Sequence, residues 1–396
     1  MIIKTNLSKL FTDFFDSEKS SGIFLILCTI ISIVITNSKF GNNYLGFWHT
    51  KVGFDLGELF TLQYSLGHWV NDGLMAIFFL LIGLEIEREV YVGELSNAKN
   101  ASLPIAAAIG GMLTPALFHF FFNYGTETQN GTGIPTATDI AFALGVLALL
   151  GNRVPESLKI FLAALAIIDD LGAIVVIALF YQSNLSLLYL LLALAIFAGL
   201  MILNRTGVIS LSLYLIPGFF MWYFMLKSGV HATVSGVLLA FAIPFGRGDD
   251  QSPSYKLQHF LHKPVAFIIM PVFALANTGI VLTGNWMEGL TTANSLGILT
   301  GLLVGKPLGI FLFSLVAVKF GLSQLPDGVV WRHIIGVGFL GGIGFTMSIF
   351  ITLLAFHDPE IVRISKITIL VSSFLAGTVG FLILNKTPVP PVIRNN

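Results

Sequence analysis

The sequence predicts an all-α membrane protein that crosses the bilayer about twelve times, and three observations carry this prediction. Hydrophobic residues make up 55% of the 396 residues, and charged residues make up only 11%, whereas soluble domains carry about 25% charged residues. The apolar residues fall into runs that approach the roughly 20 residues a membrane-spanning helix needs. Net charge is zero and there is one cysteine, Cys28. The composition therefore favours neither a nucleic-acid partner, nor a disulfide framework, nor a cysteine-rich metal site.

The predicted spans follow one another through mostly short loops, and we assign residues 1–396 to one transmembrane domain. No small-residue cleavage site follows the first apolar run, so that run is predicted to be a retained span after a polar segment, 1–21. The long loop 37–66 contains aromatic residues, β-branched residues and turn glycines, which predict a short β-hairpin outside the membrane. Another long loop covers 246–261, and the tail is 386–396. The spans are 22–36, 67–84, 102–122, 134–150, 157–181, 185–203, 208–224, 228–245, 262–282, 294–317, 329–354 and 364–385.

The distribution of lysine and arginine predicts the orientation of these spans. Twelve spans place both termini on one side of the membrane. Of the 21 lysines and arginines, fifteen fall on that side, five fall on the other, and Lys306 lies within a span. Because cytoplasmic loops carry the excess of positive charge, both termini are predicted to be cytoplasmic.

Five ionisable residues lie inside the predicted spans: Asp72, Asp139, Asp169, Asp170 and Lys306. Each costs about 2.5–3.5 kcal/mol at the centre of a membrane helix on insertion scales. A buried ion pair that fixes helix packing would explain any single one of them. Four acids and one base cannot all be neutralised by pairing, however, so the excess carboxylates must take up protons, bind a cation, or do both in turn. The set therefore predicts a proton or cation pathway.

The two adjacent carboxylates lie in the stretch "LAIIDDLGAI". Neighbouring positions on a helix point about 100° apart, because there are about 3.6 residues per turn. Asp169 and Asp170 therefore cannot share one partner symmetrically. One of them can face a cavity while the other turns towards a neighbouring helix. Lys306, in "LLVGKPLGIF", is a suitable partner on such a helix.

Segments four and eleven both contain residues that resist a continuous helix. In segment four, Pro135 and Thr138 precede Asp139, and the apolar stretch that follows is too short to cross alone. Glycines at tight helix contacts would also explain the composition of segment eleven. Two interrupted spans in corresponding halves of the chain favour a pair of discontinuous helices. In that arrangement Asp139 offsets the positive ends of the half-helices, and Lys306 offsets their negative ends. The glycines of segment eleven are Gly336, Gly338, Gly341, Gly342 and Gly344.

Several long stretches resemble the motifs of the NhaA sodium/proton antiporters. They are "NDGLMAIFFLLIGLEIERE", "TATDIAFALGVLALLG", "KIFLAALAIIDDLGAIVVIALFY", "LKSGVHATVSGV", "GLLVGKPLGI" and "GGIGFTMSIF". The resemblance implies two inverted three-helix repeats with crossed broken helices, an architecture for which this family is itself a standard example. It also implies a bacterial inner-membrane protein, not an enzyme, that exchanges cytoplasmic Na⁺ or Li⁺ for external H⁺ with unequal charge. The resemblance further implies that no cofactor is needed, that the loop 37–66 is periplasmic, and that a homodimer forms through residues 40–65.

The resemblance also assigns roles to individual residues. Asp170 is implied to be the main carboxylate for the cation and the proton. Asp169 is implied to be its partner in the site and, in one state, the ion-pair partner of Lys306. Thr138 and Asp139 contribute from the interrupted helix. The positions implied in the response to pH are Glu85, Glu89, His231, His259, His262 and Gly344.

Other interpretations stay open for several of these residues. His259 and His262 are spaced as metal ligands on a helix can be, but no third ligand is evident and a solvated pair in a loop is the simpler interpretation. Gln258 stands where the family has an acidic residue, and an amide cannot titrate. A hydrogen-bonded structural role suits His231 as well as a pH response does. Asp72 belongs either to a helix end or to an ion funnel.

Three other classes of protein also fit part of the pattern. An intramembrane aspartyl protease needs two facing carboxylates on different helices, for which Asp139 with Asp170 is the available pair. A passive cation channel needs no proton site. A sodium-coupled solute symporter with a similar crossed-helix core needs a roomier cavity, which no sequence feature demands. ATP-driven transport is not indicated, because the sequence lacks a G-x-x-x-x-G-K-[ST] phosphate-binding loop.

Overall fold

The computed structural model describes residues 18–54, 62–182, 185–246, 248, 251–282 and 286–388. Most of the predicted N-terminal segment and tail, and the turn between the two strands of the predicted hairpin, lie outside these residues. The α-helices within the described ranges are α1 Glu18–Thr36, α2 Gly41–His49, α3 Leu66–Tyr91, α4 Ala98–Asn123, α5 Ile140–Leu149, α6 Glu156–Phe180, α7 Leu187–Arg205, α8 Ser212–Ser228, α9 Val234–Ala242, α10 Pro253–Asn277, α11 Trp286–Gly289, α12 Ala293–Lys319, α13 Trp331–Gly341, α14 Phe345–Ala355 and α15 Pro359–Asn385.

Shorter helical turns accompany these helices. The 3₁₀ turns are Glu94–Ser96, Gln129–Thr136 and Gly151–Arg153. Wider π-helical turns occur inside three of the long helices, at Trp69–Leu74, Val265–Ile269 and Gly301–Gly305. Such turns occur frequently at functional sites.

The described residues confirm a helical protein with many membrane-spanning candidates. Eight helical stretches among them are long and apolar enough to cross a bilayer, and the number rises to ten if two bent pairs each count as one span. The bent pairs are α1 with α2, at 113°, and α13 with α14, at 45°. Predicted spans seven and eight contain α8 and α9, which have 17 and nine residues. The total of twelve spans therefore stays a prediction.

Two predicted loops contain more helix than expected. The loop 37–66 includes α2 as well as a two-stranded antiparallel sheet, in which Lys51 pairs with Ser65 and Val52 with Tyr64. Helix α10 begins at Pro253, inside the predicted loop 246–261. Proline is favoured in the first turn of a helix, where its missing N–H would have no intrahelical partner, so the start of α10 fits its sequence.

The chain divides into two compact units. The first unit comprises Met1–Ile26, Gly93–Ala173 and Thr283–Asn396, and the second comprises Leu27–Val92 and Ile174–Leu282. Each unit is made from segments that lie far apart in the sequence. The core of each therefore depends on long-range packing.

In the first unit, glycine allows α4 and α12 to approach closely. A Cβ atom on Gly110 would collide with the carbonyl oxygen of Gly309, and a Cβ on Gly309 would collide with that of Gly110. One turn earlier, Gly305 lies against Pro115. Small residues let helix backbones meet in this way inside membranes. This contact fixes the position of Lys306, the residue after Gly305.

In the second unit, α3 and α9 pack by the same principle. Gly83 of α3 lies against Val237 and Ala240, and Gly236 of α9 lies against the carbonyl of Ala76. The part of α3 after its π-helical turn is largely buried, and Met75, Phe79 and Leu84 are almost fully covered. The turn is therefore held at the start of a firmly packed helix.

Candidate ion-binding site

Helical structure is interrupted in both of the segments for which the sequence predicts a break. Residues 137–139 separate the 3₁₀ turn Gln129–Thr136 from α5, and residues 342–344 separate α13 from α14. The backbone N–H of Asp139 donates to the carbonyl oxygen of Ile343 at 2.6 Å. The two interruptions therefore meet inside the first unit. Pro135 and the glycines of segment eleven disfavour continuous helix at these places.

The carboxylate of Asp139 joins the N-terminal ends of two helices. Its Oδ1 accepts from the backbone N–H of Phe142 at 3.1 Å, which caps α5. Its Oδ2 accepts from the backbone N–H of Thr346 at 3.1 Å and also from the Thr346 hydroxyl, at the start of α14. Helix N-termini carry partial positive charge and unsatisfied N–H groups. This geometry supports the predicted charge-compensating role of Asp139.

The ammonium group of Lys306 lies between a carboxylate and a helix end. Its Nζ donates to Asp169 Oδ2 at 2.5 Å and also to the backbone carbonyl of Thr136. Thr136 is the last residue of the 3₁₀ turn, whose C-terminal end carries partial negative charge. Lys306 and Asp169 are both 0% exposed. The π-helical turn Gly301–Gly305 directly precedes Lys306 and determines where its side chain begins.

Thr138 connects the ion pair to the second interruption. Its hydroxyl Oγ1 lies 2.6 Å from Asp169 Oδ2 and 2.9 Å from the carbonyl oxygen of Gly341. A hydroxyl has one hydrogen to donate, so the carboxylate and the carbonyl compete for it. The other carboxylate oxygen of Asp169, Oδ1, is buried and accepts no hydrogen bond from the residues that the structure describes. Carboxylate, hydroxyl and carbonyl oxygens are thus gathered around Asp169.

Asp170 is 1% exposed and directly follows Asp169 on α6. In this part of the first unit, three buried carboxylates face one buried ammonium. Asp139 lies against two helix N-termini, and Asp169 is paired with Lys306. Carboxylates thus outnumber ammonium groups among these four residues, and a proton or a monovalent cation can balance such an excess. Oxygen ligands from unwound backbone and carboxylates are what transporters use to hold Na⁺.

Asp72 belongs to a separate cluster in the second unit. It lies on the π-helical turn Trp69–Leu74, and its Oδ2 is 3.4 Å from Nδ1 of His68. Trp222 donates its indole N–H to the backbone carbonyl of Asp72 at 2.9 Å. His231 lies in the turn between α8 and α9, where it forms a hydrogen bond with the backbone of Tyr181. The choice between a helix-end role and an ion funnel for Asp72 stays a prediction.

The other residues predicted to respond to pH are spread over both units. Glu85 and Glu89 lie on α3, and Glu89 pairs with Arg88 at 3.0 Å. His259 and His262 are exposed on α10, so the prediction that they lie in a loop is wrong. Gly344 precedes α14 in the first unit, where an added Cβ would collide with the hydroxyl of Ser348. The structure therefore does not gather these six residues into one cluster within either unit.

Sequence reasoning missed Thr346, which supplies two of the donors to Asp139. The signal was present, because a hydroxyl residue follows the glycines in "GGIGFTMS", at the start of a half-helix. It also missed the pairing of His68 with Asp72, although their spacing of four residues is that of helical neighbours. The carbonyls of Thr136 and Gly341 are backbone atoms, and no side-chain pattern marks them.

Comparison with known proteins identifies a family of sodium/proton antiporters. The family described as "Na+/H+ antiporter 1" matches residues 12–384. An Na(+)/H(+) antiporter NhaA from Flavobacterium psychrophilum is 60% identical over 389 residues, which are 98% of this chain and 99% of that protein. One from Dechloromonas aromatica is 62% identical over 386 residues, 96% of this chain and 97% of that protein. One from Aliivibrio salmonicida is 50% identical over 383 residues, 96% of this chain and 98% of that protein. The chain therefore belongs to the NhaA family of Na⁺/H⁺ antiporters.

Proposed function

We propose that this protein exchanges cytoplasmic Na⁺ or Li⁺ for external H⁺ across a bacterial inner membrane, with net movement of charge and with regulation by pH. Membership of the NhaA family supports the exchange itself. The observation that carries the mechanism is the buried ion pair of Lys306 and Asp169, placed beside Asp170 where two interrupted helices meet. A sodium-coupled symporter is not favoured, because the matched relatives are named as antiporters.

The first step of the proposed mechanism is competition between Na⁺ and protons for the same oxygens. In the structure, Lys306 donates to Asp169 Oδ2, and we propose that Asp170 carries a proton in this state. Na⁺ requires deprotonated Asp170 and further oxygens from Asp169, from the hydroxyl of Thr138 and from backbone carbonyls. Asp169 becomes available to Na⁺ only when Lys306 leaves it.

Opening the ion pair couples Na⁺ binding to a second proton. An ammonium that has lost its carboxylate in a dry interior carries a penalty of several kcal/mol. Release of the proton from Lys306 removes that penalty. One bound Na⁺ then displaces one proton from Asp170 and one from Lys306. The cycle moves one net charge and is electrogenic.

Exchange without leakage follows if the form with a vacant, charged site reorients slowly. In this scheme Asp169, Asp170 and Lys306 have no net charge when loaded with protons, and together with Na⁺ they carry one negative charge, which is the charge that the cycle moves. A form that has lost both protons without binding Na⁺ would carry two negative charges in the dry interior. Energy for the cycle then comes from the ion gradients. We assign the modulation by pH to Glu85, Glu89, His231, His259, His262 and Gly344, and the contribution of Asp72 to an ion funnel.

The architecture proposed for this cycle comes from the family. It comprises twelve spans, two inverted repeats with crossed interrupted helices, and cytoplasmic termini. Residues 40–65 contribute to a homodimer. No cofactor takes part, because Na⁺, Li⁺ and H⁺ are cargo rather than resident groups.

The experiment compares Asp170→Asn with the unchanged protein in proteoliposomes, using a pH-sensitive dye to follow proton movement after addition of Na⁺, Li⁺ or K⁺. The amide cannot carry the exchanged charge, so we expect exchange to fall at least a hundredfold while insertion is unchanged. Asp358→Asn is the matched control, because Asp358 caps the exposed start of α15 and asparagine caps a helix equally well. Normal exchange by Asp170→Asn would refute the assignment.

A further inference from the structure

The second unit contains an apolar cavity whose walls include none of the residues assigned to ion exchange. Its volume is about 680 Å³, within the usual range of ligand pockets of about 300–1,000 Å³. It lies between α2, α3, α8 and α9, and its walls include Trp48, Trp69, Leu80, Leu215, Trp222 and Leu239. Cations need oxygen ligands, which such walls do not provide. We call this space the tryptophan cavity.

The three tryptophans of this cavity differ in how their indole N–H groups are satisfied. Trp69 donates to the carbonyl of Val52 at 3.0 Å, and Trp222 donates to the carbonyl of Asp72 at 2.9 Å. The rings of Trp69 and Trp222 are stacked, with centroids 5.9 Å apart. The Nε1 atom of Trp48 is buried and finds no acceptor among the described residues. An atom so well covered offers no surface to the cavity, so the indole N–H groups supply no free donor to a ligand there.

A positively charged side chain lies near the cavity but does not line it. Lys227 is on α8, and its Nζ is 5.8 Å from the ring centroids of both Tyr64 and Tyr223. Tyr64 in turn meets Trp69 edge to face, with centroids 6.4 Å apart. Aromatic rings with lysine beside them are typical of the level at which lipid headgroups meet the hydrocarbon core. The cavity therefore combines apolar walls with a positive charge nearby.

We propose that the tryptophan cavity binds an acyl chain of one glycerophospholipid from the bilayer. The apolar walls hold the chain, and Lys227 attracts the phosphate. Part of the wall is the π-helical turn Trp69–Leu74. A lipid bound there also packs against the turn that carries Asp72, so its removal is expected to lower the thermal stability of the purified protein.

The first test titrates the purified full-length protein in detergent with phosphatidylglycerol that carries brominated acyl chains, which quench tryptophan fluorescence on contact. Three of the five tryptophans line the cavity, whereas Trp286 and Trp331 belong to the first unit. We expect quenching to saturate at about one lipid per chain. Quenching that rises with the lipid fraction and never saturates would show only annular lipid and would overturn the proposal.

Two matched variants locate the acyl chain. Leu215 lines the cavity, and Leu213 lies on the same helix outside it. Leu215→Phe reduces the free volume, so we expect lipid to bind at least fivefold more weakly, with no change for Leu213→Phe. Equal behaviour of the two variants would place the chain elsewhere and overturn the assignment.

The contact with the phosphate is tested with a matched pair of lysine variants. Lys227→Gln is expected to weaken binding, whereas Lys39→Gln, which removes another lysine held over a ring, leaves it unchanged. Equal losses of lipid binding for the two lysine variants would contradict the proposed contact of Lys227 with the phosphate.

Discussion

Removing one partner of the ion pair between Lys306 and Asp169 is expected to destabilise the protein more than removing both. Both side chains are fully buried, and Lys306 Nζ has two acceptors, Asp169 Oδ2 and the carbonyl of Thr136. Lys306→Met leaves a carboxylate with one hydroxyl donor, Thr138. Asp169→Leu leaves an ammonium with one carbonyl. The double variant leaves no unpaired charge at these two positions.

The expected magnitudes follow from this geometry. Each single variant leaves a buried charge uncompensated, which costs about 3–5 kcal/mol. The double variant keeps Thr138 satisfied, because its hydroxyl can donate to the carbonyl of Gly341. Only the carbonyl of Thr136 loses its donor, at a cost of about 1–3 kcal/mol. The two substitutions should therefore show a favourable coupling of several kcal/mol.

The assay is thermal unfolding of the purified variants across a pH series. Each single variant should lower the midpoint by roughly 5–20 °C. The lone carboxylate of Lys306→Met is neutralised by binding a proton in the folded state, so this variant should lose stability as the pH rises. The lone ammonium of Asp169→Leu is neutralised by losing a proton, so that variant should gain stability as the pH rises.

A control pair lies on the exposed start of α15, where Arg363 and Glu360 are 2.6 Å apart. Glu360→Gln should hardly move the midpoint, because exposed pairs contribute little. The reasoning fails if the double variant is as unstable as the sum of the two single variants. It also fails if the two single variants respond to pH in the same direction.

Three further substitutions test other contacts of the first unit. Thr346→Val removes one donor to Asp139, so the thermal midpoint should fall by the equivalent of about 1.5–3 kcal/mol while proteoliposomes still exchange Na⁺ for H⁺. Gly309→Ala should greatly reduce the yield of monodisperse protein in size-exclusion chromatography, because its Cβ would collide with the carbonyl of Gly110, whereas Gly199→Ala has open space and should be tolerated. Thr138→Val should raise the Na⁺ concentration for half-maximal exchange about three- to tenfold, because it removes one neutral oxygen, worth about 1 kcal/mol, from the proposed site.

Sequence patterns predicted the positions of the long apolar helices, and they failed where a helix is short or polar. Helix α2, "GNNYLGFWH", begins with glycine and two asparagines, which are weak helix formers, so it resembled a loop. The first turns of α10, "PSYKLQHFLHKP", are polar and fall outside a search for apolar runs. The proline at the start of α10 was a usable signal, whereas α2 depends on packing that a single sequence does not contain.

The residues of the site were predictable as a set, but most of their contacts were not. Charge counting inside the membrane indicated that Lys306 pairs with an acid, and the 100° separation of Asp169 from Asp170 indicated that only one of the two would be its partner. The cap from Asp139 to Phe142, three residues away, is a local pattern. The contact of Asp139 with Thr346 spans 207 residues, and the fold alone determines it.

In the first unit, the interrupted helices and the buried charges stabilise each other. Each interruption leaves N–H and carbonyl groups without intrahelical partners in a dry interior, where unsatisfied groups are unfavourable. Asp139 satisfies N–H groups at the start of two helices, and Lys306 satisfies a carbonyl at the end of the 3₁₀ turn. The partial charges at the same helix ends stabilise the buried carboxylate of Asp139 and the buried ammonium of Lys306. Asp169 and Asp170 share this region with one ammonium, and in the proposed exchange a proton and a sodium ion balance the remaining charge in turn.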